Sequence, residues 1–133
     1  TTLLRSIARE LVRQQKILSV IDERRELFAG NTQGEALDVL AGLPKGQAVQ
    51  MALRTLSPQV ILLDELGGLD EVTALEQGLF SGVDFIATLH AATPEEATMR
   101  PQVKYLMERG AVRVLVWLTG RQAPGCIGEV RFL

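Results

Sequence analysis

Apolar positions follow two rhythms along this chain. At the start, Leu3, Leu4, Ile7, Ala8, Leu11 and Val12 recur in steps of three and four, with Arg5, Arg9 and Arg13 on the other side. That spacing predicts an amphipathic helix. Farther on, the apolar residues come mostly in short continuous runs, which predict strands: "KILSVID" (16–22), "QVILLDE" (59–65), "VDFIATLHA" (83–91), "AVRVLVWLT" (111–119) and a short "EVRFL" at the end. Between them the pattern predicts helices over Pro44–Leu56, over Asp70–Ser81 with Gly82 ending it, and over Gln102–Arg109 after Pro101. Another helix opens at "TPEE", where Thr93 can cap, Pro94 suits the first turn and Glu96 can close a capping box. "ERRELFAGNTQGE" reads as a polar loop and "RQAPGCIG" as a turn.

Strands therefore alternate with helices, and the strand interiors are mostly continuous apolar runs, not alternating ones. That combination predicts an α/β fold with a mainly parallel sheet covered by helices on both faces. In such sheets ligands bind at the carboxyl ends of the strands. Three strands deliver polar groups there: Asp22 with Glu23, Asp64 with Glu65, and Thr88 with His90.

Composition narrows the picture. A length of 133 residues suggests one domain, and 47% hydrophobic residues supply a core. Net charge is -2, and no Lys or Arg falls between Pro58 and Thr98. A duplex-DNA reader is rarely built that way, and no nucleic-acid partner is expected. The one cysteine, Cys126, excludes an internal disulfide, and no apolar run is long enough for a membrane span. The chain begins without Met, already inside a helical pattern, so it reads as a fragment.

The chemistry concentrates at Asp64 and Glu65. Four apolar residues followed by Asp-Glu form the Walker B pattern of nucleoside triphosphatases. The first acid holds Mg²⁺, usually through its water shell, and the second polarises the water that attacks the γ-phosphate. A purely structural alternative has Asp64 capping the next turn and Glu65 solvated. "TTLLRSIARELV" has the form of the helix that succeeds the Lys of a Walker A loop, and Thr1 would then place its hydroxyl on Mg²⁺. An ordinary amphipathic helix with a Thr cap is the alternative here. His90, the sole histidine, ends a strand beside the proposed phosphate rim, where it can bond the γ-phosphate or relay its loss. Glu23 is a second candidate for orienting water. Arg24, Arg25 and Arg54 are candidates for compensating phosphate charge, in cis or across a subunit boundary. For each arginine, a solvated ion pair is the competing reading. Trp117, Phe85 and Tyr105 read as core or interface, and Cys126 as incidental.

Together these motifs resemble the stage III sporulation protein AA family, ATPases related to type II and type IV secretion motor proteins. The matching segments are "TTLLRSIAREL", "VIDERRELFAG", "DVLAGLPKGQAVQMALRTLSPQVILLDELG", "FIATLHA" and Arg100-Pro101, in order over most of the chain. The resemblance implies a RecA-like P-loop core, with residues 1–133 as the C-terminal ATPase domain starting just after the Walker A Lys. It also implies ATP and Mg²⁺ as ligands, with Thr1, Thr2 and Asp64 binding them and Glu65, Glu23 and His90 as catalytic residues. The implied assembly is a ring, commonly a hexamer, in the mother-cell cytoplasm and peripheral to the membrane. Its partners are membrane-embedded sporulation channel proteins that the motor energises. Gly68 stands where the family tends to carry Arg. A non-catalytic ring scaffold and a nucleic-acid-associated ATPase are the rival functions, the latter needing a basic, aromatic appendage. The fold so implied sets the Walker A strand between those ending at His90 and Thr119, so those two strands are not expected to pair directly.

Overall fold

In the structure, a computed structural model that describes residues 2–25, 37–118 and 127–133, the first three apolar runs become parallel strands. β1 (Leu18–Asp22), β2 (Leu37–Ala41), β3 (Val60–Leu63) and β4 (Asp84–Ala87) form one sheet in the order β2-β1-β3-β4. Every pairing in it is parallel. The helices are α1 (Thr2–Arg13), α2 (Lys45–Thr55), α3 (Leu69–Phe80), α4 (Pro94–Met99) and α5 (Pro101–Glu108). β5 (Val114–Leu118) and β6 (Ile127–Phe132) pair antiparallel in a separate two-stranded sheet.

The continuous apolar runs are explained by cover on both faces. On one face Leu18 and Val20 of β1 and Val60 and Leu62 of β3 pack against Leu4 and Ala8 of α1, with Ile7, Leu11, Val12, Val39 and Ile86 around them. Successive strand residues point to opposite faces, so Ile21, Ile61 and Leu63, all buried, project to the other. There α2 packs on β1, α3 on β4, and the two helices on each other. Their buried faces are Ala48, Val49 and Ala52 on α2, and Val72, Ala74 and Leu75 on α3. Full burial of one such aliphatic side chain contributes about 1.5–3 kcal/mol.

Short links fix which ends meet. α1 passes into β1 through residues 14–17, closed by Lys16 N–H donating to the Leu11 carbonyl at 3.0 Å. A 12-residue helix is about 18 Å long and five strand residues span about 16 Å. The start of α1 therefore comes level with the carboxyl ends of the strands. The starts of α2 and α3, which come directly after β2 and β3, lie at the same rim.

Two expectations on strands need correction. β2 forms where the pattern predicts no strand, because its five residues include Asp38 and run straight into Gly42. β4 stops at Ala87 instead of continuing to Ala91: the Thr88 N–H makes the last bond to β3, to the Leu63 carbonyl at 3.4 Å, while the Thr88 hydroxyl and carbonyl bond the loop after β3. β4 and β5 belong to different sheets and do not pair. Thr1, the 26–36 part of the polar loop, Thr119, Cys126 and most of the "RQAPGCIG" turn lie outside the described residues.

Contacts divide the chain after Leu89. The first unit holds the parallel sheet with α1 to α3, and the second, from His90, holds α4, α5, β5 and β6. Within the second unit the Thr93 cap forms, with Glu96 N–H donating to Thr93 Oγ1 at 3.1 Å. Glu96 Oε2 accepts from Ala92 N–H at 3.1 Å, one residue earlier than a capping box requires. Arg131 joins Glu129 at 2.7 Å and Glu95 at 3.2 Å, tying β6 to α4. The Arg109 guanidinium lies 3.4 Å from the Tyr105 ring centre. Tyr105, Phe85 and Trp117 are half-buried. Among the described residues no helix is long and apolar enough to cross a membrane.

Candidate functional site

The site is built where β1, β3 and β4 end. β3 pairs with β1 and β4 in registers that set Ile21 and Ala87 opposite Leu63. One further step in those registers sets Asp22, Asp64 and Thr88 in a row across the sheet, on the α1 side. Strands are spaced about 4.8 Å apart, so the row gathers two carboxylates and a hydroxyl over roughly 10 Å. Asp22, at 4% exposure, is buried.

Thr88 links the two acids at the end of β3. Its Oγ1 donates to Asp64 Oδ1 at 2.6 Å and accepts the Glu65 N–H at 2.7 Å. Its carbonyl accepts the Leu66 N–H at 2.7 Å. Glu65 sits at φ 59°, in the left-handed region, which costs a side-chain-bearing residue about 1–2 kcal/mol. The surrounding bonds over-determine that conformation: the amide is held by Thr88, and the carbonyl accepts from Lys45 Nζ at the start of α2. The Glu65 side chain itself is exposed.

Glu71, in the first turn of α3, holds the next part of the loop. Its Oε2 accepts the Gly67 N–H at 2.6 Å. A Cβ on Gly67 would stand 2.6 Å from Glu71 Oε1, so only glycine admits the carboxylate this close. Burial pushes the Glu71 carboxyl above the ordinary range, and the Asp70 and Glu23 charges add to that. The Gly67 N–H and the Lys45 ammonium pull the other way. Glu23 and Lys45 are thus both within electrostatic reach of the loop. The first turns of α2 and α3 also approach closely, since a Cβ on Gly46 would meet Asp70 Oδ2 at 3.3 Å.

The remaining candidates are dispersed. Arg24 is exposed just past β1, and Arg25, at φ 58°, lays its guanidinium against Gly42 at the end of β2. Arg54 lies in the last turn of α2, which returns toward the start of β3. It therefore stands at the opposite rim of the sheet from Asp64, and within one chain the fold does not bring it to the site. His90 opens the second unit and is exposed, and its backbone carbonyl accepts from Arg100 Nη2 at 3.0 Å. Thr1 lies outside the described residues, as does the side chain of Thr2. Sequence reasoning marks Thr88 as a polar group at the rim but gives it no role, and it does not single out Lys45 or Glu71. The β3/β4 register would have revealed Thr88, because it sets Thr88 opposite Asp64. Lys45 falls in the family-matching segment "DVLAGLPKG", but nothing in the sequence gives it a role, since it lies 20 positions before the carbonyl it serves.

Asp64 suits a hard cation. Mg²⁺ is held through one or two carboxylates together with phosphates and water, and the Asp64 carboxylate is fixed by Thr88 at the rim. The first turn of α1, level with the rim, has no acidic residue to oppose an anion.

The model of the family described as "Sporulation stage III, protein AA" matches residues 1–131. The chain belongs to the sporulation stage III protein AA family. It is 31% identical over 141 aligned positions to Stage III sporulation protein AA of Bacillus subtilis (strain 168), covering 98% of this chain and 46% of that protein. It thus spans about half the length of that curated relative. Among solved structures it is similar to the Legionella pneumophila ATPase DotB, with a TM-score of 0.66 and 20% identity over 87% of this chain and 36% of that one. The likeness establishes a P-loop α/β fold for this sporulation protein AA family member.

Proposed function

We propose that this chain is the hydrolytic part of an ATP-driven motor that serves a sporulation complex, with residues 1–133 forming the C-terminal ATPase domain of a longer protein. One observation carries the reading: the Thr88 hydroxyl joins the Asp64 carboxylate to the Glu65 amide at the strand ends. That arrangement fixes a metal-binding acid and a neighbouring acid in one rigid unit. The family membership and the ATPase fold support it.

Asp64, with Thr1, would hold Mg²⁺, and the start of α1, including Thr2, would face the phosphates. Mg²⁺ supplies neutralisation of the charge that builds on the phosphates. The exposed Glu65 carboxylate orients the attacking water and takes its proton. Glu23 lies close enough to the loop to assist, and His90, two positions past Thr88, responds to the γ-phosphate. Arg24, Arg25 and Arg54 balance phosphate charge, with Arg54 serving a neighbouring subunit. The motor works as a ring, commonly a hexamer, in the mother-cell cytoplasm, peripheral to the membrane and against membrane-embedded channel proteins.

The test uses the full-length protein. Wild type hydrolyses ATP with Mg²⁺, and Glu65→Gln lowers kcat at least about 100-fold, the usual share of a general base, while ATP affinity stays within a few-fold. Normal turnover in the variant would remove Glu65 from its role. A wild type that binds ATP without turnover would leave a ring scaffold in place of the motor.

A further inference from the structure

We propose that Lys45 is a positioning residue for Glu65, coupling the start of α2 to the loop that carries the proposed general base. The inference rests on the reading of Glu65 given above. Three ties hold the loop after β3 through its amides: Glu65 N–H to Thr88 Oγ1, Leu66 N–H to the Thr88 carbonyl, and Gly67 N–H to Glu71. The carbonyl of Glu65 has a different anchor, the Lys45 ammonium.

That anchor matters because of the backbone. Glu65 is at φ 59°, a conformation held by its surroundings and not by its own preference. The peptide plane after a left-handed residue can rotate toward the more favourable regions once its carbonyl is released. Rotation there re-aims the Glu65 side chain while leaving Asp64 in place, since Asp64 is fixed separately by Thr88. Lys45 therefore controls the direction of one acid without touching the other. The ammonium charge also acts on the Glu71 carboxylate, which is bonded to the same loop at Gly67. A three-residue link joins β2 to α2, so a shift at the end of β2 reaches Glu65 through Lys45.

The experiment compares wild type, Lys45→Met and Lys45→Arg in the full-length protein. Methionine keeps most of the aliphatic stem and removes the donor. Lys45→Met is expected to lower kcat about 10- to 100-fold, the scale of a misplaced catalytic group, with KM for ATP unchanged within about threefold. Lys45→Arg, which keeps a donor, is expected to retain at least a third of wild-type kcat. An unchanged kcat in Lys45→Met, a KM change as large as the kcat change, or equal losses in both variants overturns the proposal. Amide hydrogen exchange provides a readout independent of turnover. Leu66 and Gly67 should exchange faster in Lys45→Met than in wild type. If wild type shows no turnover, the motor reading fails, and exchange alone decides on Lys45: unchanged rates at both amides overturn its positioning role.

Discussion

Thr88 shows how much one hydroxyl can organise. It donates to one acid and accepts from the amide of the next, so a single oxygen fixes a side chain and a backbone together. Thr88→Val keeps the shape and removes both bonds, leaving Asp64 Oδ1 and the Glu65 N–H without that partner. The loss is expected to cost about 1–3 kcal/mol, against a small change for Thr88→Ser, measured by urea unfolding of the two variants. Equal stabilities for Val and Ser would show that water replaces the hydroxyl without penalty. Ser19 makes the opposite case: its hydroxyl, at 0% exposure in the middle of β1, has no hydrogen-bond partner among the described residues. Nothing in the structure explains why a hydroxyl stands there.

At the scale of elements, the first turns of α2 and α3 hold one loop between them, and Glu71 makes that arrangement sensitive to pH. Burial raises the Glu71 carboxyl above its ordinary value of 4.5, so the folded state binds this proton more tightly than the unfolded chain does. The stability it contributes is fully present below the ordinary value and is lost as pH rises through the raised one. Glu71→Gln keeps an oxygen for the Gly67 N–H and removes the charge. Thermal unfolding should therefore give similar midpoints for variant and wild type near pH 4 and a higher midpoint for the variant near pH 7.5. If wild type gains on the variant as pH rises, the Lys45 charge outweighs burial.

At the scale of the whole molecule, the sequence was informative where burial dictated composition. β3 is apolar throughout, and β1 is apolar but for Ser19 and Asp22, because both faces are covered, and the acids after β3 are polar because they reach the rim. The strand-ending role of Thr88 was hidden, because "DFIATLHA" continues to read as strand while a tertiary bond diverts it. Lys45 stands in the family-matching segment, but its role was hidden for another reason: helix-start residues look alike until the fold shows which carbonyl they face. Arg54 stands at the far rim of its own sheet, so in the proposed motor it balances phosphate charge only on a neighbouring subunit. Full-length Glu65→Gln, with ATP and Mg²⁺ retained, should accordingly elute from size exclusion as a ring-sized oligomer. Elution as a monomer under those conditions counts against the ring.

The strand order has a consequence for how the chain is made. β1 sits between β2 and β3, and both come after it in the sequence. The sheet therefore grows outward from β1, with β2 added on one side and β3, then β4, on the other. Until Val60–Leu63 has emerged from the ribosome, one edge of β1 has no partner, and closing it spans about forty residues. Such long-range parallel pairing is slow, which leaves the nascent "ILSVI" segment open to the wrong partners until β3 arrives.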